Sequence, residues 1–293
     1  MKNEKTEFSI LLLTDIHSAE SKLKSLVKQC KAMSYKPDYI ISTGDHVTLY
    51  GGGQGDEELV KKAEKDITNY ITILEGLCDN VIYIPGNHDT PSMYAENPPQ
   101  FTEKSINLHN RGLQIASDLY LFGLGGSTTN PYSEETDYFT YKIDDYSKVG
   151  FRGWPWTKEY KEPKFEEGEQ LFGEALDKLQ TQFPNDNSKI ILLTHEGPFS
   201  SFTTHSVSPN SEGVKKPVYS GSMSLDKFLV NNMNRIIANI HGHTHRGKGN
   251  YKIFTTDIIN VGNAEKGCGR IVIRKDESTH FEWRITKIER ITY

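Results

Sequence analysis

Short apolar runs recur along the chain, and most end in a polar or glycine-containing cluster. They stand out in FSILLLTDIH, DYIISTGDH, NVIYIPGNHD, DLYLFGLGGS, KIILLTHEG and RIIANIHGHTH. Near-continuous apolar runs of this length predict strands buried on both faces. Between them the spacing changes to that of helices. Leu23, Leu26, Val27, Cys30 and Met33 follow the first run, and Leu59, Val60, Ala63, Ile67, Tyr70, Ile71 and Leu74 follow the second. Phe165, Leu171, Phe172, Ala175, Leu176 and Leu179 repeat the pattern before the fifth. Alternating strands and helices predict a layered α/β fold with helices covering the sheets. After these come strands alone, in YKIFTTDIINVG, GRIVIRK and HFEWRITKI. Neither an internal repeat nor a low-complexity linker interrupts the pattern, which predicts a single domain over 1–293.

Two stretches stand outside the alternation. Residues 91–165 are rich in proline, aromatics and charge and read as a cap-like insertion; residues 200–222 read as a long serine-rich loop. Loops this long in a compact domain are usually functional or disordered. Both follow strand ends that carry polar clusters, so both are expected to wall a site.

Composition narrows the class. A hydrophobic share of 35% with 25% charged residues suits a soluble globular chain. The net charge of −5 argues against a broad nucleic-acid footprint. Three cysteines, Cys30, Cys78 and Cys268, form no C-x-x-C pair, which suits a reducing compartment. The apolar run ILLL near the N-terminus is too short and its flank too acidic for a signal peptide, and no run reaches the length of a membrane span. A cytoplasmic location without membrane association is expected.

The chemistry lies where the strands end, since ligands of open α/β sheets bind beyond the carboxyl ends of strands. Five ends carry metal-ligating side chains: Asp15 and His17, Asp45, Asn87 and His88, His195, then His243 and His245. One such end arises easily by chance; five in one chain do not. Residues i and i+2 of an extended segment point the same way, so Asp15 with His17, and His243 with His245, are each expected to face one site. Carboxylate, imidazole and amide ligands without thiolate suit manganese, iron, cobalt or zinc in a catalytic setting. The candidates exceed what one four-coordinate ion needs, so two ions are expected. Two ions about 3.5–4 Å apart can hold a hydroxide between them and clamp an in-line phosphoryl displacement. With two carboxylates and that hydroxide they carry about one net positive charge, which attracts a phosphate ester.

DIH, GDH, GNHD, THEG and GHTH together resemble the five ordered blocks of the calcineurin-like metallophosphoesterase family, and they run from residue 15 to 245. The resemblance implies a four-layer fold, a two-sheet β-sandwich flanked by helices, with the active site at strand C-terminal ends. It also implies that Asp15, His17 and His245 hold one metal, that Asn87, His195 and His243 hold the other, and that Asp45 bridges them. His88 would face the substrate, stabilising the transition state or protonating the leaving group. The family's protein-phosphatase branch reads G-D-x-V-D-R-G in the second block; here Thr48 stands at the second Asp and Leu49 at the Arg. A Ser/Thr protein phosphatase is therefore not expected, and the usual orienter of His88 is missing.

Other features have plainer readings. His241 is expected to pack or to support the ligands, His46 to have no role of its own, and His205 to be a solvated loop residue. The glycines of YGGGQG, 50–55, lack the Lys-Ser/Thr of a P-loop and read as a flexible rim. Trp154 and Trp156 fit a base-stacking wall or a packed cap equally well. For function the expectation is metal-dependent hydrolysis of a small phosphodiester, with a nucleotide favoured and Arg246 as a substrate-binding cation. A broad phosphomonoesterase and a non-catalytic scaffold of the same fold are the alternatives.

Overall fold

A computed structural model of the chain describes residues 5–49, 56–128, 165–185, 187–209, 215–276 and 282–292. Trp154, Trp156, the YGGGQG glycines and residues 129–164 of the 91–165 stretch lie outside the described residues. The strands, in chain order, begin with β1 (Glu7–Leu13), β2 (Tyr39–Ser42), β3 (Val81–Tyr83), β4 (Ser105–Asn107), β5 (Arg111–Ala116) and β6 (Leu119–Leu124). They continue with β7 (Lys189–Thr194), β8 (Gly197–Pro198), β9 (His205–Pro209), β10 (Lys215–Tyr219) and β11 (Gly221–Ser222). The last are β12 (Ile236–His241), β13 (Gly249–Ile253), β14 (Thr256–Asn260), β15 (Cys268–Asp276) and β16 (Glu282–Ile291). Among the described residues four α-helices accompany them: α1 (Glu20–Ala32), α2 (Glu57–Glu75), α3 (Phe165–Gln180) and α4 (Met223–Asn231).

Two six-stranded sheets form the frame. The first runs β16-β15-β1-β2-β3-β4 and the second β13-β14-β12-β7-β6-β5. β1 to β4 pair in parallel in the first sheet, with antiparallel pairings adding β15 and β16 beyond β1; β14, β12, β7 and β6 pair in parallel in the second, with β13 and β5 added antiparallel at its two edges. Alternation along single strands builds the layers. Ile10 and Leu12 of β1 join Ile191 and Leu193 of β7 and Ile240 of β12 in a core between the sheets. Leu11 and Leu13 of the same strand face α1 and α2, and Ile190 and Leu192 of β7 face α3 and α4. Burial on both faces is why these strands read as unbroken apolar runs. Truncating one such side chain, Leu12→Ala for instance, costs about 2–5 kcal/mol by cavity formation.

The helices use the faces their spacing marks. Leu23, Leu26, Val27 and Cys30 of α1 are buried, whereas Met33, just past its end, is 51% exposed. The Asp56 side chain caps α2 by accepting from the backbone of Glu58 and Leu59 at 2.9 and 3.1 Å, worth about 1 kcal/mol. Within the 91–165 stretch, β4 extends the first sheet while β5 and β6 complete the second. Residues 200–222 likewise contain β9, β10 and β11 and are not an irregular loop. All three cysteines are buried free thiols. Among the described residues no helix is long and apolar enough to cross a membrane.

Candidate metal centre

The loops that leave β1 and β2 stay zipped together after the strands end. Asp15 N–H donates to Gly44 O, His17 N–H to Asp45 O and Ser18 N–H to His46 O, each at 3.0 Å. They do so in a left-handed conformation, with φ of 52° at Asp15, 45° at His17 and 54° at Asp45. His243 shares it, with φ of 64°. Such angles are uncommon outside glycine, least so for Asp, Asn and His, and cost about 1–3 kcal/mol each in strained cases. The extended geometry expected for Asp15–His17 and His243–His245 is therefore wrong. β1 ends at Leu13 and β12 at His241, and turns, not strand periodicity, aim these side chains.

The turns create two groupings. Ligand atoms of Asp15, His17, Asp45 and His245 lie within 4.8 Å of one another, and so do those of Asp45, His195 and His243. His243 and His245 thus fall into different groups, with Asp45 common to both. Asp45 Oδ2 lies 3.3 Å from His195 Nε2 and 3.6 Å from His17 Nε2. Its other oxygen, Oδ1, accepts His88 N–H at 2.9 Å. Asn87 Oδ1 approaches His195 Nε2 at 2.9 Å, beside the second group. His245 Nε2 is 3.2 Å from Asp15 Oδ1 and 3.0 Å from His17 Nε2. Each group draws on both sheets: Asp15, His17, Asp45 and Asn87 follow strands of the first, and His195, His243 and His245 follow strands of the second.

Supporting contacts hold these rings and carboxylates. Asp15 accepts from Thr14 Oγ1 at 2.8 Å and from His243 N–H at 3.1 and 3.2 Å. His195 Nδ1 meets Thr43 O at 2.7 Å, and His17 Nδ1 meets Thr48 Oγ1 at 2.9 Å. His88 Nδ1 is 3.4 Å from Leu49 O, while Leu49 N–H donates to His88 O at 3.1 Å. A backbone carbonyl is thus one group that meets the His88 ring. Arg246 is exposed, next to His245.

The electrostatics fit cation binding. Asp15 and Asp45 are at most 1% exposed. Burial alone would raise both carboxyls, but His245 beside Asp15 and His195 beside Asp45 hold them well below the usual carboxylate range. Burial also disfavours the His195 imidazolium, yet the Asp45 carboxylate outweighs it and lifts the pKa to about 9. His245 is raised too, by Asp15 against burial, whereas burial and the nearby His195 push His243 down. Burial lowers His88. Two buried carboxylates facing several imidazole nitrogens, with no thiol among them, form a donor set that suits divalent transition metals.

Residues with plain readings fall into place. His241 is fully buried, bonded to Thr203 Oγ1 at 2.7 Å and Gly242 O at 3.0 Å. His205 is not simply solvated, since its ring packs edge-on against Phe199 and Phe202. His46 is buried and its Nδ1 meets Asp89 Oδ2 at 2.9 Å. Sequence reasoning missed Asp89, although GNHD contains it. Asp89 also accepts backbone N–H groups of Gly86, His46 and Val47 at 2.8, 2.8 and 3.2 Å, tying the second block to the third. Glu196 was missed as well. It is buried beside His195, accepts from the Thr128 backbone, and lies 2.8 Å from Thr128 Oγ1, which in turn lies 3.3 Å from buried Glu169. Burial and the Glu169 carboxylate push Glu196 up to about 8.

Comparison with known proteins agrees with this geometry. The family model described as calcineurin-like phosphoesterase matches residues 8–247. No curated protein sequence matches the chain. Among solved structures, the protein TT1561 of Thermus thermophilus is similar, with a TM-score of 0.54 and 16% identity over 98% of this chain and 99% of its own. A putative 5'-nucleotidase from Staphylococcus aureus, in complex with alpha-ketoglutarate, has a TM-score of 0.53 and 13% identity, covering 98% of this chain but 54% of its own. At such identities the likeness shows the shared fold. The family match spans most of the chain and every block of the site, and on that ground this protein belongs to the calcineurin-like phosphoesterases, metal-dependent hydrolases of phosphoric esters.

Proposed function

We propose that the chain binds two transition-metal ions, one by Asp15, His17 and His245 and one by Asn87, His195 and His243, with Asp45 serving both, and that it hydrolyses small phosphodiesters. The observation that carries this reading is the place of Asp45 Oδ2, within 3.6 Å of His17 Nε2 and 3.3 Å of His195 Nε2, one ring from each group. A single carboxylate oxygen between two imidazole groups is what a shared ligand requires. Manganese, iron, zinc and cobalt all suit the donors. Such ions, when bound, polarise the phosphoryl group and activate water.

The chain's own residues do the rest. His88 N–H anchors Asp45 Oδ1, so the residue that would meet substrate also fixes the shared ligand. His88 Nδ1 meets Leu49 O at 3.4 Å, and the ring would meet the leaving-group oxygen through Nε2. Arg246 supplies a cation at the rim. The second block offers no arginine, and a monoester carries nearly two negative charges because its second pKa is about 6. A diester carries one, and so needs less compensation. A nucleotide diester is favoured within that class.

The test pairs metal analysis with kinetics. Protein purified without chelator should carry close to two ions per chain, and Asp45→Asn should lose most activity. With manganese supplied, kcat/KM should be higher for bis-p-nitrophenyl phosphate than for p-nitrophenyl phosphate. The reverse order would favour a broad phosphomonoesterase, and a metal-replete protein inert toward every ester would favour the scaffold.

A further inference from the structure

We infer that Thr48 is a positioning residue for His17: its hydroxyl holds the ring at Nδ1 with Nε2 turned to the site, and so sets how tightly one of the two metal groups binds its ion. The inference rests on the metal reading above.

An imidazole that binds a metal through one nitrogen must carry its proton on the other, and the partner of that second nitrogen decides which tautomer prevails. His17 Nε2 faces the site, 3.0 Å from His245 Nε2, 3.6 Å from Asp45 Oδ2 and 4.0 Å from Asp15 Oδ1. His17 Nδ1 faces away, and among the described residues its hydrogen-bond partner is Thr48 Oγ1, at 2.9 Å. When Thr48 accepts from Nδ1–H, the Nε2 lone pair is left pointing at the carboxylates.

The other group is held differently. His195 Nδ1 meets the Thr43 carbonyl at 2.7 Å, and a carbonyl can only accept, so the backbone dictates that tautomer whatever the side chain. His17 depends on a hydroxyl, which substitution can remove. The His17 backbone is held by its N–H bond to Asp45 O past the end of β1, with φ of 45°, but that bond does not reach the ring. Thr48 is well placed for the task. The adjoining Leu49 exchanges contacts with His88 at 3.1 and 3.4 Å, so the 48–49 segment is anchored to the third block while it holds the His17 ring. Two neighbouring residues thereby orient a ligand ring and a substrate-facing ring that pack edge-on, 5.4 Å apart.

Removing the supporting partner of a metal-bound histidine typically costs 10–100-fold in metal affinity. The experiment is calorimetric titration of chelator-treated wild type, Thr48→Val and Thr48→Ser with manganese and with zinc, with thermal unfolding recorded for each. Wild type should show two binding events. Thr48→Val should weaken one by about 10–100-fold and leave the other unchanged, while Thr48→Ser, which keeps the hydroxyl, should restore wild-type behaviour. A Thr48→Val protein that binds both ions as wild type does, or loses both equally, overturns the assignment. A wild-type observation needs no variant: in zinc-loaded protein the His17 Nδ1–H proton should be protected from exchange and show a nuclear Overhauser effect to the Thr48 side chain. Its absence also overturns the assignment. Wild-type protein that takes up no metal would instead defeat the metal reading itself, an outcome distinct from either.

Discussion

Asp89 and His46 form a buried pair that joins the second and third blocks, with Asp89 Oδ1 accepting the His46 backbone N–H at 2.8 Å and Oδ2 meeting its Nδ1 at 2.9 Å. The same carboxylate serves Gly86 and Val47. Each buried donor stranded by its removal costs about 1–3 kcal/mol. Asp89→Ala is therefore expected to lose at least about 3 kcal/mol of stability, measured by urea unfolding, and to loosen Asp45 and Asn87 together. Stability within about 1 kcal/mol of wild type, the size of an ordinary substitution, would show that the carboxylate does not tie the blocks.

His88 and Asn87 are neighbours to which the proposed function gives separable duties. Loss of a general acid or electrostatic stabiliser costs about 10²–10⁴-fold in rate. His88→Ala should lower kcat by that order with metal content intact, whereas Asn87→Ala should deplete metal. Mass spectrometric metal analysis beside steady-state kinetics separates the two, and a His88→Ala protein short of metal would reverse the roles.

Gly86 leaves no room for a side chain, since a methyl there would collide with the Asp45 carboxylate and backbone and approach His195 Cε1 at 2.7 Å. Gly86→Ala is expected to displace the shared carboxylate and reduce metal occupancy. Gly173 in α3 is the control, because its nearest neighbour would be Ser224 Oγ at 3.5 Å. Gly173→Ala should preserve metal content and add about 0.5–1 kcal/mol of helix stability.

Thr128 has one hydroxyl proton but faces both Glu196 at 2.8 Å and Glu169 at 3.3 Å, so a proton on one carboxyl resolves the contacts. Glu196 carries it, with its pKa raised from 4.5 to about 8. A carboxyl raised on folding stabilises the fold while protonated. That contribution is complete below about 4.5 and is lost as pH rises toward about 8. Glu196→Gln imitates the protonated form. The stability of wild type should therefore fall relative to Glu196→Gln by up to about 1.4 kcal/mol per pH unit across that window. Chemical denaturation at several pH values tests it, and a constant difference between the two proteins would disprove it.

Much of the frame was legible because strands buried on both faces spell their own signal. β1, β2, β3, β6, β7 and β12 all coincide with apolar runs. β4 reads Ser-Ile-Asn, with one apolar residue and that one exposed, and β5 keeps exposed Arg111 and Gly112 on an edge, so neither made a run. The nine residues of α4 escaped notice because its helical face is short, holding Leu225, Phe228 and Leu229. At the site, residue identities were readable and their geometry was not. The left-handed turns at Asp15, His17 and His243 leave no periodic mark. The Thr43 and Leu49 carbonyls were invisible for a simpler reason: every residue has one, so nothing in a sequence says which is used.

Each metal group takes ligands from both sheets, and this gives the centre a mechanical meaning. Bound ions would fasten the two halves of the sandwich like rivets, adding to the apolar core and to the polar contacts of Asp118 with Trp283 and Lys275 and of Lys189 with Glu282 in resisting shear between the layers. Ligand binding to the folded state alone adds about 2.7 kcal/mol when the free ion is at a hundred times its Kd. Chelation should accordingly lower the unfolding temperature and speed amide hydrogen exchange at the seam, in the residues just after β1, β7 and β12, before it affects α1 or α4. On the proposed assignment the same seam would carry the chemistry, so any sliding of one sheet over the other would pull on both proposed metal positions at once through Asp45.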